Sequence, residues 1–186
     1  SPLAIKLTAI YNLYRNYFKP EIAERFEDIN EMFRFPGLHM TATTEDSKAI
    51  NSIANPKIII AGSGMSHAGR ILHHEVRYLP DPKSALLIFG YQAEGSLGRL
   101  LLNGVKHVRI MGQEVQVRAK IRALGAYSAH ADQRQLLDWL KPLAGRVKKV
   151  FLVQGEGDAA GALARKISDE FQLEAVVPSL GDEVVL

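Results

Sequence analysis

The chain has 186 residues, 47% hydrophobic and 23% charged, with no cysteine and a formal net charge of +3: ordinary globular material, long enough to bury one core or two small ones. Without cysteine there is no disulfide framework and no thiolate metal site, so a metal would need histidine or carboxylate ligands, and the small positive charge suits a nucleic-acid partner without singling one out. No apolar run approaches a membrane span, and Ser1-Pro2 opens straight into an amphipathic segment with no signal-peptide pattern, so a cytoplasmic protein with no membrane partner is expected.

Leu3, Leu7, Ile10, Tyr14 and Phe18 recur at helical spacing behind Ser1-Pro2, an N-cap and first-turn pair. Pro20 stops that helix. A second is expected over about 21–33 and a third over 44–53, capped by Thr43 or Thr44. Lys57-Ile58-Ile59-Ile60-Ala61 predicts a buried strand that runs into Gly62-Ser63-Gly64. The pattern then repeats: a helix through Leu72 and Val76, a strand over 85–89, a glycine loop, and a helix from Leu97. This is α/β order, and it predicts a largely parallel sheet with helices on its faces. After about Gly104 short strands are expected over 108–111, 115–117 and 119–124, then a helix over 133–140. A strand over 149–153, a helix through Leu163, Ile167 and Phe171, and a strand over 174–177 close the chain. The change of character near Leu124 marks the expected domain boundary.

Three loops carry chemistry. Gly62-Ser63-Gly64-Met65-Ser66-His67-Ala68-Gly69-Arg70 joins a predicted strand to a helix, where backbone N–H groups favour an anion. It is neither a Walker A motif nor the dinucleotide fingerprint, and a tight turn alone would also explain it. Gly90-Tyr91-Gln92-Ala93-Glu94-Gly95-Ser96-Leu97-Gly98-Arg99 likewise leaves a strand and enters a helix, with Ser96 as N-cap. Ligands of open α/β sheets gather at such carboxyl ends of strands. In Ser128-Ala129-His130-Ala131-Asp132-Gln133, Asp132 and Gln135 form a capping box. His130 beside it could donate a proton or bind a phosphate, or merely bond to backbone. Arg118, Lys120 and Arg122 alternate with Val117, Ala119, Ile121 and Ala123, which puts the cations on one strand face. Such a face meets solvent or a polyanion. Of the other histidines, one of His73 and His74 is expected to pack, His39 to lie in a short strand and His107 near a turn.

Taken in order, Ser1-Pro2-Leu3-Ala4-Ile5-Lys6, the Gly62 loop with Gly69-Arg70-Ile71-Leu72-His73-His74, Gly90-Tyr91-Gln92-Ala93-Glu94-Gly95, Ser128-Ala129-His130-Ala131-Asp132 and Gly155-Glu156 make a pattern. By it the chain resembles, nearly end to end, the β-CASP family of metallo-β-lactamase nucleases, and within it the bacterial RNA-processing exonuclease group. The resemblance implies a Rossmann-like β-CASP domain with a parallel sheet over 1–124, N-terminally incomplete. Over 125–186 it implies the C-terminal part of a metallo-β-lactamase αβ/βα sandwich, the RNA-specificity region. The family's His-x-His-x-Asp-His ligands would precede Ser1, and no such cluster occurs in this chain. His130 takes the place of a histidine that contacts the scissile phosphate and serves as general acid. Gln154 stands where RNA-cleaving members have a zinc-ligating histidine and the DNA-processing branch has valine. An amide is a poor zinc ligand beside imidazole.

The implied function is a zinc-dependent ribonuclease that hydrolyses RNA phosphodiester bonds in processing or decay. Zinc is expected in the complete protein and none in this chain, which alone would be inactive. Ser63, Gly64, Met65, Arg70, Gln92, Gly95, Arg99 and Ser128 would hold phosphates, with Arg118 in support. RNA is the implied partner, and a homodimer is a further option. The rival is a non-catalytic RNA-binding or scaffold module, which Gln154 and the missing ligands favour for this chain alone. A Rossmann-like nucleotide-binding protein would explain both glycine loops but not the 128–132 motif.

Overall fold

The computed structural model describes residues 2–25, 33, 35–125 and 130–184. The chain forms two compact units, Ser1–Tyr127 and Ser128–Leu186.

In the first unit, α1 spans Pro2–Leu13, a 3-10 turn follows at Arg15–Tyr17, and α2 covers Pro20–Arg25. Most of the expected second helix past Arg25 lies outside the described residues. α3, Thr44–Ala49, opens on a capping box in which the Thr43 hydroxyl accepts from Asp46 N–H and the Asp46 carboxylate accepts from Thr43 N–H. The buried strand expected at 57–61 is not formed. Ile58 is 91% exposed and Ile60 82%, and no residue of 57–61 joins a ladder among the described residues. Isoleucine favours a pleated, half-buried surface, but a strand exists only where a neighbour pairs with its backbone. His39 likewise lies in irregular chain rather than in a strand.

The helix α4 spans Ile71–Tyr78, β1 Ala85–Phe89 and α5 Leu97–Leu102. Then come β2, His107–Ile110, β3, Gln113–Gln116, and β4, Lys120–Leu124. β1 and β4 pair in parallel, from Ala85 opposite Lys120 to Phe89 opposite Leu124. A parallel pair needs a long crossover, and α5 with the antiparallel β2–β3 hairpin supplies it. The parallel pairing expected from the sequence is present at β1 and β4, and among the described residues β2 and β3 pair antiparallel with each other rather than extending that sheet. Alternation sets the faces of the strand that ends in β4. Val117 is buried and Ala119 and Ile121 half-buried, whereas Arg118, Lys120 and Arg122 are exposed. Val117 joins Leu79, Ile88, Leu101, Val108, Ile110 and Val115 in the core. The Leu79 carbonyl, just past α4, accepts from Arg118 and Ala119 N–H at 2.8 and 2.9 Å, so the end of α4 sets where β4 begins.

In the second unit α6 spans Gln133–Leu140, β5 Lys149–Phe151, α7 Gly157–Phe171 and β6 Glu174–Val176. β5 and β6 are parallel, with α7 as the crossover. Their core is Leu137, Leu140, Ile167 and Leu173, with Val150, Leu152 and Leu163 packed against it. α7 stops at Gln172, a left-handed residue whose N–H donates to Ser168 O.

Candidate functional site

Both glycine loops deliver the chain into a helix, and they are bonded to each other. The first folds back on itself: Ser66 N–H donates to Ser63 O at 3.2 Å, Ser63 N–H to Ala68 O at 3.3 Å, and Ile71 N–H to Gly62 O at 3.3 Å. Gly69, at φ +82°, would place a Cβ 2.9 Å from Gly62 O, so this closure requires glycine. The second loop braces the first from inside. Gln92 is buried, and its Nε2 donates to Gly64 O at 2.9 Å and to Tyr91 O at 3.0 Å. Gly98 N–H donates to Met65 O at 3.3 Å. A Cβ on Gly98 would lie 1.7 Å from Gln92 Oε1, so a side chain there would eject the brace. Gly95, at φ +78°, turns the chain into Ser96, which is buried and caps α5 by accepting from Arg99 N–H at 3.1 Å.

These bonds give the first loop a polarity. The carbonyls of Ser63, Gly64 and Met65 all accept hydrogen bonds from the protein, while the N–H groups of Gly64 and Met65 donate to nothing within the described residues. Successive unspent N–H groups are what an anion needs. The two arginines beside the loops act as struts. Arg70 forks onto Thr41 O at 2.8 Å and Ala42 O at 2.9 Å. Arg99 Nε donates to Gln92 O at 2.8 Å, and its guanidinium lies 5.5 Å from the Tyr91 ring centre. Their positive charge remains next to the loops while their N–H groups hold backbone.

Under the first loop lies a group that the sequence reading passed over. Glu75 is 3% exposed. Its Oε1 accepts from the Ser66 hydroxyl at 2.5 Å, and its Oε2 has no partner among the described residues. Burial pushes the Glu75 carboxyl above the usual carboxylate range, against the pull of the Ser66 hydrogen bond. The signal was present: Leu72, Glu75, Val76 and Leu79 fall on one helical stripe, and a carboxyl interrupts that apolar row. Of the histidine pair in α4, His74 is the one that packs. Its Nε2 is 3.5 Å from Ser47 Oγ, its ring stacks on Tyr78, and His73 is exposed. Burial, then the charges of His73, Arg70 and Lys57, hold the His74 pKa below its ordinary value.

In the second unit His130 is exposed, two residues ahead of Asp132. Asp132 Oδ1 accepts from Gln135 N–H at 2.8 Å and Gln135 Oε1 accepts from Asp132 N–H at 2.9 Å, the capping box read from the sequence. Ser128 lies outside the described residues. Gln154 is exposed and left-handed, at φ +64°, directly before Gly155-Glu156. Among the described residues no three His, Asp or Glu side chains come together as metal ligands. The described residues of this chain therefore do not fit a zinc ion by themselves. In the first unit the loop hydrogen bonds tie Ser63, Gly64, Met65, Gln92 and Arg99 together, whereas Gly95 only shapes the second loop and Arg70 donates away from both loops, to Thr41 O and Ala42 O. His130 and Gln154 belong to the second unit.

Comparison with known proteins adds a second line. The Beta-Casp domain family matches residues 1–101. The family described as Zn-dependent metallo-hydrolase RNA specificity domain matches residues 114–178. The chain is similar to Ribonuclease TTHA0252 of Thermus thermophilus, 40% identical over 168 residues that cover 90% of this chain and 38% of that protein. It is 30% identical to Transcription termination factor FttA of Pyrococcus abyssi over 185 residues, 96% of this chain and 28% of that protein. To the RNase J-like protein of Methanocaldococcus jannaschii it is 30% identical over 177 residues, 95% of this chain and 40% of that protein. The chain therefore spans between 28% and 40% of the length of these three relatives.

Proposed function

Because the chain belongs to the β-CASP family of the metallo-β-lactamase superfamily, we propose that it is part of a ribonuclease that hydrolyses RNA phosphodiester bonds. In this reading the first unit grips the RNA backbone. Phosphate oxygens accept from the Gly64 and Met65 N–H groups and the Ser63 hydroxyl, while Arg70 and Arg99 supply positive potential close by. Gln92 and Gly95 keep the second loop in the shape that supports the first. His130 in the second unit gives a proton to the departing oxygen. Zinc, an exonuclease mode and a cytoplasmic location complete the proposal for the whole protein.

One observation carries the reading. Three successive carbonyls of the first loop are tied to the protein while the Gly64 and Met65 N–H groups are left unspent, a polarity that selects an anion. A second reading, a non-catalytic RNA-binding module, is favoured by Gln154, an amide where the resemblance expects imidazole. Both readings require RNA binding and part company only at hydrolysis.

The test is a titration of the chain with a labelled single-stranded RNA from about 50 to 200 mM salt. The logarithm of affinity should fall linearly with the logarithm of salt. Gly98→Ala, which drives a methyl into Gln92, should weaken binding about tenfold at every salt, the equivalent of about 1.4 kcal/mol. Binding that ignores salt, or that Gly98→Ala leaves untouched, overturns the phosphate-loop reading.

A further inference from the structure

Ser66 occupies φ +55°, a region that L-residues avoid because Cβ crowds the neighbouring carbonyl. It is 7% exposed, so water does not hold it there. Two bonds do: its N–H to Ser63 O and its hydroxyl to Glu75 Oε1. Glu75 is a costly partner for that task. It sits in the apolar stripe of α4, with Oε2 buried and unpartnered among the described residues, and a buried oxygen without a hydrogen bond opposes folding. Leucine would suit the stripe better. Among the described residues no cation pairs with the carboxyl either. A residue that weakens the fold where an apolar one would strengthen it marks a local rule broken for function.

We propose that Glu75 is the positioning residue of the phosphate loop: its buried carboxyl locks Ser66 in the left-handed turn that leaves the Gly64 and Met65 N–H groups free for an anion. The proposal rests on the reading of 62–70 as a phosphate loop. Glu75 never touches the RNA. It acts through Ser66, which stands one residue past the unspent N–H groups.

The experiment compares Glu75→Leu, Glu75→Gln and Ser66→Ala in the full chain by three measurements. These are the thermal midpoint, the hydrogen exchange of the Ser66 and Gly98 amides, and affinity for a short single-stranded RNA. Glu75→Leu should fold with a midpoint at or near the parent's, yet lose amide protection at Ser66 and Gly98 and bind RNA about tenfold more weakly, the scale of one buried hydrogen bond. Glu75→Gln, whose Oε1 still accepts from the Ser66 hydroxyl, should keep both protection and affinity. Ser66→Ala should match Glu75→Leu in protection and affinity but with a lower midpoint, because it leaves both Glu75 oxygens buried without a partner. The double variant should lower protection and affinity no further, since both changes remove one interaction. A Glu75→Leu chain that fails to fold would make Glu75 a packing residue and overturn the proposal. So would unchanged protection in Ser66→Ala, or a Glu75→Gln variant as impaired as Glu75→Leu. If the parent binds no RNA, the phosphate-loop reading fails while the exchange arm still decides whether Glu75 holds the turn.

Discussion

Two residues at the start of α6 have separable jobs. The Asp132 carboxylate accepts from the Gln135 N–H of the first turn, a cap worth about 1 kcal/mol. His130 is neither of the two side chains of the capping box, and it is exposed. In the whole protein, His130→Ala should therefore slow RNA cleavage by a factor on the order of 10², the usual scale for a positioned acid–base group. The thermal midpoint should stay at the parent's value. Single-turnover cleavage beside a melting curve checks both halves, and cleavage at the parental rate would reduce the 128–132 motif to a helix cap. Residues of this kind were legible from the sequence because a cap is written within four positions. Glu75 was less so: its place in the stripe is local, but its partner Ser66 is reached only once the loop has folded back over α4.

At the scale of elements, β4 shows how far alternation reaches. Arg118, Lys120 and Arg122 form the exposed row the pattern predicts. In the same outward row of the paired strand, Leu87 and Phe89 are 48% and 52% exposed. If RNA follows this edge, replacing Arg118 and Arg122 with alanine should flatten the salt dependence by about 1.4 in logarithmic slope, at roughly 0.7 per phosphate of a single strand. The same titration over salt measures it, and an unchanged slope returns the row to solvent. The failure of the 57–61 strand is the counterpart. Composition there speaks for a strand as strongly as it does at 85–89, yet β1 has β4 beside it and 57–61 has no partner strand among the described residues.

Across the whole molecule, two units each carry their own core, and the proposed work is divided between them: backbone binding in the first, proton donation in the second. Metal is where this chain falls short. A stable zinc site needs three or four strong ligands, and the described residues bring no three of them together. Elemental analysis after exhaustive dialysis should find well under one zinc per chain. One tightly held zinc would show that the chain builds a site of its own, and would remove the main support for the scaffold reading.

The sequence by itself determined the helix caps at Ser96 and Asp132, the exposed cation row of the strand ending in β4, and the family to which the chain belongs. Each of these is written in short-range order: a cap closes within one turn, a strand face repeats every second residue, and motifs follow one another along the chain. Only the tertiary structure decided that Gln92 reaches Gly64, 28 positions away, that Gly98 leaves room for it, and that Glu75 lies buried against Ser66. Only it decided, too, that the isoleucines of 57–61 stay outside any ladder. These outcomes depend on which distant groups fold against one another, and neither propensity nor spacing carries that information.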